Sequence, residues 1–465
     1  MASSKTITQL AKESETLATS FEYVFHKEMF YAPVDYETKD GSVIPPPERK
    51  SWVPMQVKAL RIKAREQFDT LFQEESKLKS FLFMLEQACI QMDEVKPWLL
   101  IKTANGLRVL REDGKLYEPD GSFLPNTLAP MLNEDPADKE ALFATIVEWL
   151  GGEEEEARSL LRHLATTLAP HWSAGRYVLL IGDGRNGKSV LMSMLKDLFG
   201  MDNCSSVTRQ QMAKSDKIIF DLNGKLLNVV FDGPAKFLED EGSEKSIITG
   251  EPIKVRKLYG NGGTTVETNA LFIEGLNQEP KSKDKSSALQ ARLVRFWFPN
   301  KYSDDSEFEE YMRSERMLGA LLSLLIDHYV RRSEKATMLA PTARSRQLQL
   351  DHMEDNSLAL QFIVHLEETD PLGAEAVLIG TDFNNLVQMF QSWRLKLNDL
   401  TVWDRPALFA LFKPVISHQR KSARVAGKTS PVKITVITGF KQETLDLLAS
   451  LREEDADDTA AVVAD

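Results

Sequence analysis

Between Arg176 and about Asn300 the chain alternates short unbroken apolar runs with stretches of helical spacing. "YVLLI", "KLLNVVF", "NALFI" and "LVRFWF" read as strands, and "SVLMSMLKDLF" between the first two reads as a helix. That alternation predicts an α/β domain, closed by the helical "SERMLGALLSLLIDHYVRR" and spanning about 171–335. Upstream, "VPMQVKALRIKAREQFDTLFQEESKLKSFLFMLEQACIQM" carries apolar residues at helical spacing after the loop-like "KDGSVIPPPERKSW", which predicts a helical N-terminal region over 1–95. The next segment, "PWLLIKTANGLRVLREDGKLYEPDG", breaks apolar runs at Asn-Gly and Asp-Gly and predicts hairpins. Two helices, "ADKEALFATIVEWL" and "EEEARSLLRHLATTLAP", complete a helical domain over 96–170 ahead of the α/β unit. Its Glu153–Glu156 run suits the positive end of a helix dipole.

Beyond a polar linker around Pro341, residues 350–445 read helix, helix, helix, hairpin. This order suits a small winged-helix-like domain or another small α+β domain. Residues 446–465 form an acidic tail with six acidic residues among its last fourteen and no aromatics there, which predicts disorder. No internal repeat is visible.

Composition narrows the class. At 465 residues, 42% hydrophobic and 27% charged, the chain reads as a soluble globular protein of two or three domains. "MASSKTITQLAKESE" lacks the apolar core of a signal peptide and no run is long enough to span a bilayer, so a cytoplasmic location is expected. Cys89 and Cys204 are the only cysteines, and the seven histidines do not cluster with them, which disfavours a structural zinc site or a disulfide framework. The net charge of −12 disfavours a coat for duplex DNA but leaves room for a local basic channel.

The chemistry starts at "GDGRNGKS", Gly182 to Ser189. Gly182 and Gly187 bracket Asp183, Gly184, Arg185 and Asn186, and Lys188-Ser189 follow, which is the P-loop spacing. Glycines let backbone N–H groups turn inward around phosphates, a lysine reaches the β and γ oxygens, and a serine hydroxyl can ligate Mg²⁺. ATP and Mg²⁺ are therefore the expected cofactors. Downstream, the second strand ends in Asp232, suited to hold Mg²⁺ or to polarise water; a strand-ending Asp opening a Gly-Pro turn is the plainer alternative. The third strand ends in Asn277, placed to orient a water. Arg292 precedes the fourth strand, where an arginine can act as a finger in a neighbouring subunit's site.

In that order, "GDGRNGKSVL", "LNVVFD", "IITGEPIKVRKLY", "LFIEGLN" and "ARLVRFWFP" resemble the successive motifs of superfamily 3 helicases. The closest likeness is to the helicase portion of phage and plasmid primase-helicases and their poxvirus relatives, strong over 176–300 and weaker outside it. The resemblance implies an AAA+-like P-loop NTPase core that assembles as a ring, usually a hexamer, and moves 3′-to-5′ along single-stranded DNA. Carried over by position, Lys188 and Ser189 take the P-loop roles, Asp232 the Walker B acid and metal ligand with Ser189, Asn277 the sensor and Arg292 the finger in trans, with Arg295 a secondary candidate. Two departures stand out: Gly233 follows Asp232 where a second acid sometimes stands, and Ala291-Arg292 replaces a common Arg-Arg pair. Residues 1–95 are too few for a fused primase, so a separate primase is an expected partner.

"IKVRKLYGNGG" and the returning "TTVETNALFI" predict a hairpin. In the helicase family such a hairpin grips the strand in the ring's channel, which makes Lys254, Arg256, Lys257 and Tyr259 candidate DNA contacts. From Lys254 to Lys301 there are nine basic residues against four acidic ones, so this strip stands out in an acidic chain. Basic side chains gain from counterion release and an aromatic adds base stacking. A second basic group, Arg420, Lys421, Arg424, Lys428 and Lys433, falls on the C-terminal hairpin, as a wing on forked DNA or as a solubilising surface. The reading at this level is a phage-type replicative DNA helicase of host cytoplasm; an AAA+ loader or remodeller and an ATP-dependent origin-binding initiator stay open.

Overall fold

The computed structural model describes residues 12, 14–16, 18, 24–26, 29–35, 50–55, 60, 75–91, 98–119, 126–212, 219, 221–233, 242–256, 263–279, 292–355, 357–397, 404–423, 432–442, 444–446 and 448–449. The chain divides into two units. One comprises Met1–Ala235, Asp240–Gln278 and Arg292–Thr342, the other Lys236–Glu239, Glu279–Ala291 and Ala343–Asp465.

The first unit carries strands within 1–95, where helices were expected. β1 (Val24–His26), β2 (Met29–Asp35), β3 (Lys50–Met55) and β4 (Ile90–Gln91) form a sheet in the order β3-β2-β1-β4. Helix is described at residues 12, 14–16, 18 and 60 and in α1 (Glu75–Ala88), which buries Phe81 and Leu85, one turn apart. The helical expectation for 1–95 is thus corrected to a mixed region. Val24, Phe25, Tyr31, Trp52 and Val53 are β-branched or aromatic residues that fit a pleated surface. The pairing of Val24 with Ile90 joins positions far apart in the chain, which local periodicity does not reveal.

The following segment forms the expected hairpins. β5 (Leu99–Thr103), β6 (Gly106–Leu110), β7 (Leu116–Tyr117) and β8 (Asn126–Met131) pair in the order β7-β6-β5-β8. The Asn105-Gly106 turn closes β5 on β6, with Gly106 at φ 104° and the Thr103 hydroxyl donating to the Gly106 carbonyl at 2.8 Å. α2 (Pro136–Trp149) then starts at the Asp135 cap, and α3 (Glu154–Ala165) carries three glutamates in its first turn and Arg162 in its last, as the helix dipole favours. Two corrections follow. Residues 96–170 combine a four-stranded sheet with two helices rather than forming a helical domain, and no core boundary falls near 170. Leu99, Leu128, Leu142 and Leu160 belong to the same apolar core as Val178, Leu191 and Val294 of the α/β part.

That part is a five-stranded parallel sheet in the order β10-β11-β14-β9-β15. Its strands are β9 (Tyr177–Ile181), β10 (Cys204–Ser205), β11 (Leu227–Val230), β14 (Leu271–Leu276) and β15 (Leu293–Trp297). β9, β11 and β14 are buried along their whole length, which is why they read as continuous apolar runs rather than alternating ones. α4 (Lys188–Phe199) follows β9 and buries Leu191, Met192, Met194, Leu195, Leu198 and Phe199. α5 (Gly242–Thr249) precedes the expected hairpin, β12 (Ile253–Arg256) and β13 (Gly263–Val266), in which Lys254 faces Thr265 across the ladder. α6 (Glu315–Asp327) packs on α2, α3, α4 and β8 and closes the core.

The second unit follows the expected order with added helices. α7 (Ala343–Asp355), α8 (Leu358–Thr369), the short α9 (Gly373–Leu378), α10 (Phe383–Lys396) and α11 (Arg405–Phe412) lead into the antiparallel pair β16 (Ile416–Ala423) and β17 (Val432–Phe440). Its core centres on Phe362, whose ring lies 5.5 Å from those of Phe390 and Trp393 and 6.2 Å from that of Phe412. The acidic tail beyond residue 449 lies outside the described residues. Among the described residues no helix is long and apolar enough to cross a membrane.

Phe362 is 1% exposed, so Phe362→Ala removes a fully buried ring. It should destabilise the second unit by about 3–5 kcal/mol, read as a lower denaturant midpoint at unchanged slope. A midpoint within error of the parent would contradict this packing.

Candidate functional site

In a parallel sheet all strand C-termini open on one edge, and loops there build the site. The register sets the levels. Ile181 pairs with Leu276 in β14 and with Trp297 in β15, and Val230 of β11 pairs with Glu274. Gly182, Asp232 and Asn277 therefore leave the sheet at nearly the same height. The ladder continues into the loops: the Gly182 N–H donates to the Leu276 carbonyl at 3.1 Å, Phe298 N–H to the Ile181 carbonyl at 2.8 Å, and Gly233 N–H to the Gly275 carbonyl at 3.0 Å.

The Gly182–Gly187 loop has little freedom. Gly182 sits at φ 150° and Gly187 at φ 92°, both outside the usual range of side-chain-bearing residues. A Cβ on Gly182 would overlap the Phe298 carbonyl oxygen, and one on Gly187 would lie 2.6 Å from the Trp149 ring. Arg185 adopts φ 63° without being glycine; its carbonyl accepts from Tyr302 N–H at 2.8 Å and its guanidinium pairs with Asp304 at 3.0 Å. Such a backbone costs of order 1 kcal/mol or more and is held by its surroundings.

Lys188 opens α4 and is 7% exposed. Its ammonium donates to the carbonyls of Gly182 at 2.6 Å and Asp183 at 3.0 Å, and to Asn186 Oδ1 at 2.9 Å. An ammonium has three donors, and the loop's own oxygens use all three. An incoming anion must trade places with some of them. Burial lowers the Lys188 pKa to about 8, with the Asp183 charge opposing the shift. Asn186 is 2% exposed, and its Nδ2 donates to the Phe298 carbonyl at 3.2 Å. Its side chain is a strut that ties the Lys188 ammonium, through Oδ1, to the segment after β15, through Nδ2. Ser189, in the first turn of α4, Asp232 and Asn277 are all exposed at this edge. Together these groups can cradle a polyphosphate at a helix N-terminus and offer a hydroxyl and a carboxylate to a divalent ion.

Arg292 is elsewhere. Its carbonyl accepts from Tyr177 N–H at 2.8 Å, at the N-terminal end of the sheet. The five residues of β15 separate it from the loop edge, about 16 Å at strand rise. Beside it stands Arg176, whose guanidinium pKa is lowered by burial and then by the Arg292 charge. Arg295 is wholly buried in the middle of β15, level with Leu179. This corrects its secondary candidacy as a finger, since a neighbouring subunit could not touch it. Lys254 is exposed on β12. The Arg256 backbone continues that strand, but the Arg256 side chain, Lys257 and Tyr259 lie outside the described features.

Three residues of the site escaped the sequence reading. Trp149 covers Gly187 from α2, Phe298 braces the loop through its backbone, and Glu274 is buried in β14 against Gly233. Only Glu274 left a signal, as a lone acid inside an apolar strand.

A family described only as a family of unknown function (DUF5906) matches residues 180–292, the stretch from the loop to Arg292. No curated protein matches the chain. Among solved structures, the apo A form of the NrS-1 C-terminal region is similar over 94% of this chain and 100% of its own, at 13% identity and a TM-score of 0.49. A second apo structure of that region, residues 305–718, covers 92% and 99% at 13% identity and a TM-score of 0.46. A ligand-bound JCV helicase covers 48% of this chain and 61% of its own at 15% identity and a TM-score of 0.28. At such scores and identities, function has to be read from the chain's own residues.

The Lys188 titration predicts a pH dependence. Its folded value of about 8 lies below the ordinary 10.5, so between the two the unfolded chain binds more protons and stability rises with pH. Anion binding has the opposite sign, because it needs the charged ammonium. Affinity for a fluorescent ATP analogue should fall above pH ~8, by up to about tenfold per unit. Lys188→Ala should bind weakly with a flat profile. A parent profile flat from pH 7 to 10 would contradict the assignment.

Proposed function

We propose that the chain is an ATP-hydrolysing, ring-forming DNA helicase of the superfamily 3 kind, with an AAA+-like core, working on single-stranded and forked DNA as a homo-hexamer with 3′-to-5′ polarity. The observation that carries the reading is the division of the site between two edges of one sheet. Lys188, Ser189, Asp232 and Asn277 share the C-terminal edge, while Arg292 lies at the other end of β15, too far to serve its own site. An arginine so placed stands apart from its own loop and could serve a neighbour's, which supports a ring over a monomeric switch.

The loop fits a nucleotide triphosphate: positive-φ glycines where a Cβ would clash, and a lysine already curled into the space. Magnesium would neutralise the phosphates and bring a water to them. Backbone N–H groups of 183–188 would hold the phosphates, and Lys188 would exchange loop carbonyls for their oxygens. Ser189 and Asp232 would hold the metal, and Asn277 would align the water. Arg292 would steady the charge that develops in the adjoining subunit's site, an effect worth roughly 10³–10⁵ in rate where it operates. Lys254, Arg256, Lys257 and Tyr259 on the β12–β13 hairpin would grip the strand, as basic and aromatic groups do without regard to base. The helices and hairpin of the second unit suit a winged-helix-like reader, with exposed Arg420 and Lys421 on the duplex ahead. Priming would fall to a separate protein, and the setting would be a cytoplasm, that of a host for a phage-encoded chain.

The decisive experiment is displacement of a forked duplex with ATP and Mg²⁺, with Lys188→Ala as control. Displacement by the parent alone is expected, favouring a 3′ single-stranded arm. Hydrolysis without displacement would instead indicate a loader or remodeller. Arg292→Ala should keep nucleotide affinity but lose at least about 100-fold in turnover. Mixing it with Lys188→Ala chains should restore part of the activity, since some interfaces then pair an intact Lys188 with an intact Arg292. Lys257→Ala should lower DNA-stimulated hydrolysis and spare the basal rate; equal loss of both would remove the hairpin's assignment.

A further inference from the structure

The acidic run at 453–458 is a charged segment that the reading above leaves without a task. Glu453, Glu454, Asp455, Asp457 and Asp458 follow a single base, Arg452, and no basic residue comes after them. Blocks of like charge serve as interaction tails for surfaces of the opposite sign. Such a surface lies in the same unit. From Arg420 to Lys433 the sequence holds Arg420, Lys421, Arg424, Lys428 and Lys433 and no acid, and the paired strands β16 and β17 contain no carboxylate along their whole length. Arg420 and Lys421 are exposed and enter no hydrogen bond or ion pair among the described residues. Successive side chains of a strand point to opposite faces, so this pair offers positive charge on both sides of the hairpin.

The fold brings the two segments to one point. Val415 immediately precedes β16, and its carbonyl accepts from the Lys441 N–H at 3.0 Å and from the Thr444 hydroxyl at 3.0 Å. Leu448, one helical turn further on, is 1% exposed and shares the apolar core of Val415 and Ile416. The chain that leads into the acidic run is thus moored at the foot of the strand that carries Arg420 and Lys421. Lys421 is five residues beyond Ile416, about 17 Å at strand rise. Glu453 and Asp458 are four and nine residues beyond Ala449, a reach of up to about 14 Å and about 32 Å. The acids therefore bracket the distance to the basic strand. A tether this short holds them near it at an effective concentration on the order of millimolar. The other basic hairpin, β12–β13, belongs to the other unit.

We propose that the acidic run 453–458 docks on the β16–β17 hairpin of its own chain, its carboxylates on Arg420, Lys421 and the basic residues that follow them. The docked run takes the charges that a phosphate backbone would use, so DNA has to displace it. It screens the hairpin from weak polyanions and yields to a duplex, whose charge density is higher. This consequence for DNA rests on the duplex-reading role proposed above for the hairpin; the docking itself does not.

Two measurements on the full chain test it. The first is zero-length carbodiimide cross-linking, read by mass spectrometry on a mixture of isotope-labelled and unlabelled chains. Expected is an amide between Lys421, Lys428 or Lys433 and an acid of 453–458, joining segments of one label, and lost at about 0.5 M salt. No such amide, or one found only between differently labelled chains, overturns the docking. The second is the affinity for a fluorescein-labelled forked duplex, read by anisotropy. The isosteric set Glu453→Gln, Glu454→Gln, Asp455→Asn, Asp457→Asn and Asp458→Asn keeps the length of the run and removes its charge. It should bind the fork about threefold to tenfold more tightly than the parent at about 50 mM salt. The gain should vanish when Arg420→Ala and Lys421→Ala are added, because the run then has no target to release. A gain that survives those two changes reports net charge alone and overturns the proposal. If Arg420→Ala with Lys421→Ala leaves fork affinity unchanged in the neutralised chain while the parent still cross-links, the duplex-reading role of the hairpin falls and the docking stands.

Discussion

The parallel pairing of β9 with both β14 and β15 is the constraint on which the rest depends. Flanked on both sides, β9 has its N–H and C=O groups taken up by its neighbours along its length, as a strand sealed from water must. The ladder does not stop where the loop begins: Gly182 still donates to Leu276, and Phe298 to Ile181. The loop is therefore launched from a fixed point in a fixed direction. It meets α4 at Gly187 under the face of Trp149, with no space for a side chain at either glycine. Asp232 and Asn277 reach the same edge because their strands share the register of β9.

A site held this firmly stores unfavourable terms that a ligand can relieve. The Lys188 ammonium is buried and its proton affinity depressed. It is sustained by two loop carbonyls and Asn186, neutral dipoles standing where a phosphate's charge would be a far stronger partner. Arg185 is held at positive φ by Tyr302 and Asp304, which follow β15. Asn186 is tied to Phe298 in the same segment. The end of β15 thus braces the loop while its beginning carries Arg292.

How much of this was legible follows the range of the interactions. The loop, its strand and its helix were readable because glycine spacing, Lys-Ser and an adjoining apolar run are all local. Both hairpins, at Asn105-Gly106 and at β12–β13, announced themselves through turn residues. The helices of the second unit were readable from 3.6-residue periodicity. The N-terminal sheet was not, since β1 pairs with β4 across more than sixty residues of intervening chain and a run of mixed apolar residues offers no sign of that partner. Likewise the break expected near 170 vanished, because Leu142 and Leu160 pack into the same core as β9 and α4.

What the sequence by itself determined is the chemistry on offer: a phosphate loop with its lysine and serine, an acid and an amide at strand ends, an arginine ahead of the last strand, and a basic hairpin. Each is a matter of residue type and short spacing. Only the tertiary structure decided who stands beside whom. It made Asn186 a strut between Lys188 and Phe298, buried Arg295 in mid-sheet, set Arg292 beside Arg176 at the far edge, and laid Glu274 over Gly233. These are contacts between strands adjacent in space and distant in sequence, set by sheet order and register, and no local pattern encodes them.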